Sequence, residues 1–287
     1  MFNNISDYEF NNISRIVIIG DIHGDLKRFK SILINEKIIN NNFEWIAEPS
    51  NTIIVQLGDQ IDSINRDNNI EEWEKIKDIE MIYFTDNLDL IAKSKGGMVI
   101  SLIGNHEMMN TLGDFSYVSN NSKIDIRREI FKPSGSIALI LSKRPLIVKI
   151  NNLIFCHALL TLEHYKILLK NNKNINYINE LWRKYLLKIP IYVEDKEIFD
   201  NIILSDKGIL WNREENNINN TETLFKLLNC KYMFIGHTPI NSIKLIDNQI
   251  WYCDNAISRS FGSLEFEYIN INNYNIEIKK INDYCCK

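Results

Sequence analysis

The chain has 287 residues, 45% hydrophobic and 24% charged, with a formal net charge of −4. That is ample length for a domain with a buried core, and the acidic balance gives no basic footprint for nucleic acid or an anionic membrane. The five cysteines (Cys156, Cys230, Cys253, Cys285, Cys286) show no CxxC spacing, which argues against a disulfide framework or zinc knuckle and fits a reducing, cytoplasmic setting.

The N-terminus MFNNISDYEFNN lacks a basic segment followed by an apolar one, so no signal peptide is expected. The first strand-forming run, RIVII (15–19), ends in GDIHGD, and a helix is predicted over 25–37 with Asp25 as its cap. TIIVQ then leads into LGDQID, a helix over 71–95 follows, and GMVIS leads into LIGNHE. Asn-rich patches such as SNNSK and NNKNIN mark loops or insertions. The apolar run IALIL (137–141) is far short of the roughly 20 residues a membrane helix needs.

Next come LIFC leading into HALL, helices over 162–171, 179–187 and 221–228, and YMFI leading into GHTPI. Short runs of apolar and β-branched residues without alternation read as strands buried on both faces. Five of them, each ending in a polar loop, imply one sheet edge lined with polar groups, where open α/β sheets keep their chemistry. The strand, helix, strand order implies an α/β fold with right-handed crossovers. From Ile240 onward SIKLI, QIWYC, SLEFEYINI and NIEIKKI alternate, pointing to a mainly antiparallel second sheet. With no repeat and no linker, 1–287 reads as one domain, with 1–14 an N-terminal extension and 240–287 the second-sheet strands.

Four of the five histidines, His23, His106, His157 and His237, fall in the loops after strands. The fifth, His164, lies in a helical pattern and reads as packed or solvated. Imidazole with carboxylate and amide oxygen suits Mn²⁺, Fe or Zn²⁺. The candidates Asp21, His23, Asp59, Asn105, His157 and His237 are too many for one tetrahedral ion and enough for two, with Asp59 able to bridge. Glu107 reads as a supporting acceptor or cap. Trp182, Trp211 and Trp251 read as core, although Trp211, beside Arg213, could wall a pocket.

GDIHGD, GDQID, GNHE, the histidine of FCHALL, and GHTP stand in the order found in calcineurin-like metallophosphoesterases, and from Arg15 to Pro239 the chain resembles that family. LWNRE (210–214) and IWYCDNAISRSFG further resemble the Shewanella-like branch of the phosphoprotein phosphatases. The resemblance implies a four-layer sandwich, two central mixed sheets flanked by helices. It implies hydrolysis of a phosphate monoester by a hydroxide bridging two metal ions, with Asp21, His23 and Asp59 on one ion and Asp59, Asn105, His157 and His237 on the other. His106 would be the general acid, oriented by Asp62.

The family usually follows this aspartate with a phosphate-gripping arginine, and this chain has Ser63 there. The clamp then falls to another cation, with Arg213 the first candidate and Arg66 and Arg259 behind it. Gln60 reads as a pocket-wall residue bearing on substrate choice. The implied substrate is a phosphoprotein, on serine or threonine before tyrosine, or a small phosphoester. A symmetrical diadenosine tetraphosphate hydrolase shares the metal motifs, and a catalytically weak phosphatase-like scaffold is the third reading.

Overall fold

A computed structural model of the chain describes residues 8–63, 77–118, 123–213 and 218–282. In chain order the elements are β1 (Glu9–Phe10), β2 (Arg15–Ile19), α1 (Leu26–Asn35), β3 (Ile53–Gln56), α2 (Lys77–Ser94), β4 (Met98–Ser101) and α3 (Asn105–Leu112). There follow α4 (Ile124–Phe131), α5 (Ser136–Leu141), β5 (Ile147–Ile150), β6 (Leu153–Cys156), α6 (Leu162–Lys170) and α7 (Asn176–Leu186). A short α8 (Lys196–Ile198) runs into a π-turn over Phe199–Leu204, and α9 (Ile218–Leu228), β7 (Tyr232–Ile235), β8 (Lys244–Ile246), β9 (Ile250–Tyr252), β10 (Glu265–Asn272) and β11 (Asn275–Asn282) complete the chain.

The apolar runs do form strands, but they divide between two sheets. β2, β3 and β4 are parallel neighbours in a sheet of order β11-β10-β2-β3-β4, whereas β6 and β7 lie in a second sheet of order β1-β5-β6-β7-β9-β8. The expectation of a single polar sheet edge is corrected accordingly. The segment after Ile240 is split as well: β9 pairs parallel with β7 and carries β8 antiparallel at the edge, while the β10–β11 hairpin adds antiparallel to β2. Alternation in those strands records that one face is more exposed, not which sheet they join.

Side-chain alternation builds the layers. Ile16, Ile18, Ile53, Val55, Phe155 and Phe234 point between the sheets, where Phe155 stacks on Phe234 with ring centres 5.1 Å apart. Val17, Ile19, Ile54 and Val99 point outward against α1 and α2. Ile154, Cys156, Met233 and Ile235 point the other way, onto the helical layer containing α6, α7 and α9. The result is helix, sheet, sheet, helix, the two mixed sheets in the middle.

The five helices expected from sequence agree with α1, α2, α6, α7 and α9 within a few residues, except that 71–76 of the expected second helix lies outside the described residues; α3, α4, α5 and α8 are not among those expected. Asp25 caps α1, its side chain accepting the Arg28 N–H. His164 is buried at the start of α6, its Nδ1 accepting the Thr161 N–H at 3.2 Å. Trp182 is fully buried. Among the described residues, Cys156 and Cys253 are buried free thiols and Cys230 is a half-buried one; Cys285 and Cys286 lie outside them. Among the described residues no helix is long and apolar enough to cross a membrane.

Candidate metal centre

The loops at the carboxyl ends of β2, β3, β4, β6 and β7 are stitched together by main-chain bonds. Ile22 and His23 donate to the Asp59 carbonyl at 3.1 and 2.9 Å, Gly24 donates to the Gln60 carbonyl at 2.7 Å, and Gly236 donates to the His157 carbonyl at 2.9 Å. Close approach explains two glycines: a Cβ on Gly104 would lie 2.2 Å from Asp59 Oδ1, and one on Gly236 would lie 2.1 Å from Asp21 Oδ1.

His23, Asp59, Asp62 and His237 all hold positive φ, at 44°, 51°, 63° and 61°. Such conformations cost roughly 1–3 kcal/mol each and persist where the surroundings enforce them, typically at functional sites.

Three imidazoles are aimed by backbone carbonyls. Nδ1 of His23 meets the Ile61 carbonyl at 3.1 Å, Nδ1 of His157 the Leu57 carbonyl at 2.8 Å, and Nε2 of His237 the Trp211 carbonyl at 3.1 Å. A carbonyl only accepts, so the facing nitrogen carries the proton and the opposite one presents a lone pair. Those lone-pair nitrogens converge on oxygens: His157 Nε2 and His237 Nδ1 each lie 2.9 Å from Asn105 Oδ1, and His157 Nε2 lies 3.4 Å from Asp59 Oδ2. Lone pairs facing lone pairs in a buried site are a cradle for cations, with each histidine held from outside as metal ligands usually are. The donor set fits a metal.

Ligand atoms of His23, Asp59 and His106, and of Asp59, His157 and His237, lie within 4.8 Å of one another in two clusters that share Asp59. Asn105 is joined to the second cluster through its two histidine contacts. Asp21 stands beside them, its carboxylate accepting the His237 N–H at 3.1 Å. Every one of these side chains is buried. Burial, with the His106 charge, lowers His23 to about 4, and burial, with the His157 charge, lowers His237 to about 3. Burial also pulls on His157, but the charge and hydrogen bond of Asp59 outweigh it and raise that ring. Burial and the neighbouring Asp254 and Asp59 charges push Asp21 well above the usual carboxylate range. Bound cations would take the place of the protons that Asp21 and His157 otherwise retain, while His23 and His237 are already neutral.

His106, at the start of α3, is distinct. Its Nδ1 meets a carboxylate, Asp62 Oδ2, at 3.0 Å. Burial lowers its pKa, but the Asp59 charge and the Asp62 hydrogen bond win and raise it to about 9. Glu107, fully buried, accepts the N–H groups of Asp59 and Gly104 on one oxygen and that of Gln60 on the other, at 2.9, 2.8 and 2.8 Å. It therefore ties the β3 loop to the β4 loop, as expected of a supporting acceptor.

Among the cations proposed from sequence, Arg213 is exposed at the rim and donates to the His237 carbonyl at 3.0 Å. Arg259 is clamped by Asp25 through Nε at 2.8 Å and Nη2 at 2.9 Å, and lines a small cleft with His23, Ser63 and Ser260. Arg66 lies outside the described residues. Trp211 walls the site, edge-on to His237 with ring centres 5.8 Å apart.

Gln60 is a correction: it is fully buried and its amide oxygen accepts from Arg144, so it lines no pocket. The reason is that Arg144, buried against the Ile82 carbonyl and Thr85, needs an acceptor. Sequence reasoning missed Arg127, which grips Asp62, and Asp254, a buried carboxylate pushed up to about 6 by burial and the Asp59 charge. Asp254 stands in the quoted segment IWYCDNAISRSFG after a strand, the same signal as the candidate ligands; Arg127 had none.

This architecture, with paired sheet edges delivering histidine and carboxylate to one place, puts the protein among metal-dependent hydrolases. Over residues 14–241 the sequence matches the calcineurin-like phosphoesterase family, and the chain belongs to it, a family of phosphoester hydrolases built around a dinuclear metal centre. It is 29% identical to Shewanella-like protein phosphatase 1 of Plasmodium berghei, over 93% of this chain and 74% of that one. It is 32% identical to Shewanella-like protein phosphatase 2 of Arabidopsis thaliana, over 41% of this chain and 27% of that one. The crystal structure of a cold-active protein-tyrosine phosphatase from a psychrophilic Shewanella species has the same fold, with a TM-score of 0.75 at 22% identity, over 97% of this chain and 83% of that one.

Proposed function

We propose that the protein hydrolyses phosphate monoesters on protein serine and threonine side chains, with His106 as the general acid. The observation that carries this reading is the His106–Asp62 pair, 3.0 Å apart, with His106 at the edge of two histidine–carboxylate clusters that share Asp59.

Asp21, His23 and Asp59 would hold one metal and Asp59, Asn105, His157 and His237 the other. Two bound metal ions supply Lewis acidity, activating water and neutralising phosphoryl charge. His106 is the acid rather than a ligand in this scheme because, unlike the three rings aimed by carbonyls, its Nδ1 meets a carboxylate, Asp62 Oδ2 at 3.0 Å, which favours the protonated ring. Instead its proton goes to the departing alkoxide oxygen, which could not leave unprotonated from serine or threonine. Asp62 holds the ring through Nδ1, leaving Nε2 as the donating atom. Arg213, at the rim beside His237, grips the phosphoryl oxygens in place of the arginine absent at Ser63. The Plasmodium and Arabidopsis relatives named as protein phosphatases support the substrate class.

The test is hydrolysis of p-nitrophenyl phosphate, of phosphoserine, phosphothreonine and phosphotyrosine peptides, and of diadenosine tetraphosphate by metal-stripped protein, before and after Mn²⁺ is added. Activity restored by Mn²⁺ in the wild type and absent in Asp59→Asn is expected. Preference for phosphotyrosine would redirect the substrate assignment, preference for dinucleoside polyphosphates would favour the diadenosine tetraphosphate hydrolase, and no turnover with metal bound would favour a scaffold.

A further inference from the structure

The insertion before α5 contains nothing that reads as chemistry, yet α4 places Arg127 directly beneath the acid pair. Arg127 is 4% exposed. Its Nη2 lies 2.6 Å from Asp62 Oδ1, its Nη1 2.7 Å from Asp78 Oδ2, and its Nε 2.5 Å from Asn110 Oδ1. All three guanidinium nitrogens are thus committed, and the face of the group rests 4.8 Å over the Phe131 ring. This arginine does not grip substrate.

Asp62 is occupied on both oxygens. Oδ1 takes Arg127, and Oδ2 takes His106 Nδ1 and the Asn110 amide, the latter at 2.8 Å. Asn110, one helical turn after His106, also donates to the His106 carbonyl at 2.9 Å. The carboxylate is therefore fixed in plane and in direction by groups from α3 and α4, while its own backbone sits at φ 63°. A buried carboxylate left without such partners would rotate toward whatever donor it could find.

We propose that Arg127 is a positioning residue for proton donation: by holding Asp62, and with Asp78 behind it, it fixes the orientation from which His106 Nε2 reaches the leaving-group oxygen. The inference rests on the reading of His106 as the general acid. The competing role is a plain structural staple joining α2, α3 and α4, and the two roles differ in chemistry. A staple affects every substrate alike, whereas an acid-positioning residue matters only when the leaving group needs a proton.

The experiment compares kcat on p-nitrophenyl phosphate, whose leaving group departs as a stable anion, with kcat on phenyl phosphate and a phosphoserine peptide. Arg127→Met, loaded with Mn²⁺ and checked for metal content, is expected to lose roughly 10–100-fold on the two poorer leaving groups and little on p-nitrophenyl phosphate. In a His106→Asn background the same substitution is expected to add nothing, since its route of action is already gone. Uniform slowing on all three substrates, or an added loss in the His106→Asn background, overturns the proposal. If Arg127→Met does not fold, Asp78→Asn loosens the far end of the guanidinium and is expected to show the same selectivity at a few-fold; uniform or absent effects there overturn it too. His106→Asn alone separates the two levels. If it shows no leaving-group selectivity, the acid assignment fails; if it does and Arg127→Met does not, only the positioning role fails.

Discussion

Replacing Glu107 by Gln tests whether one buried carboxylate holds together the two loops that carry Asp59 and Asn105. It receives three backbone N–H groups, from Asp59, Gly104 and Gln60, at 2.9, 2.8 and 2.8 Å. An amide keeps a single acceptor oxygen, so at least one N–H would face an NH₂ group. Losing one bond to a charged acceptor costs about 1.5–3 kcal/mol, and stranding the buried donor adds about 1–3 kcal/mol. Against this, burial and the Asp59 charge push the Glu107 carboxyl above its usual range, so removing its charge relieves repulsion while no cation is present. The net loss is therefore expected to be about 3–5 kcal/mol in Mn²⁺-loaded protein and smaller in stripped protein. Urea unfolding of wild type and Glu107→Gln, with and without Mn²⁺, measures both. Unchanged midpoints, or a larger loss in the stripped protein, would refute the reasoning.

Because the Asp59 and Asp62 charges overcome burial and raise His106 to about 9, the ring is protonated below that pH. In metal-stripped protein an NMR titration of the His106 ring should therefore give a midpoint near 9, and lower once Mn²⁺ offsets the Asp59 charge; a midpoint near 6.5 in the stripped protein would contradict the geometry. The linked stability in stripped protein has the same sign, fully present below the unfolded histidine value of 6.5 and lost as pH rises through about 9. Arg213→Ala should lower kcat/KM about tenfold or more by removing charge-assisted bonds to phosphoryl oxygen, and should weaken inhibition by inorganic phosphate; unaltered phosphate inhibition would assign the grip elsewhere. Gly104→Ala would put a methyl 2.2 Å from Asp59 Oδ1, and calorimetric Mn²⁺ titration should show affinity reduced by about 10–100-fold.

The clustering of the candidate site was legible because its candidate ligands ride on strand ends, and a strand end is a local pattern. Asp21 and His23 after RIVII, Asp59 after TIIVQ, and His237 after YMFI need only the next few residues to be recognised. The division of those strands between two sheets was not legible, because a strand buried on both faces reads the same in either sheet. Arg127 escaped for a related reason: it reaches Asp62 across 65 residues, from a helix with no motif. Gln60 misled because proximity to a ligand in sequence says nothing about which way a side chain turns; here Arg144, 84 residues away, turns it inward.

The three imidazoles directed by the carbonyls of Ile61, Leu57 and Trp211 have a consequence for how the centre can drift. A carbonyl is common to every residue type, so positions 57, 61 and 211 can exchange side chains without re-aiming the histidines that depend on them. What heredity must preserve at those points is the path of the main chain. His106, aimed instead by the carboxylate of Asp62, has no such insulation: its bearing is inherited only together with Asp62, and with whatever holds Asp62 in turn.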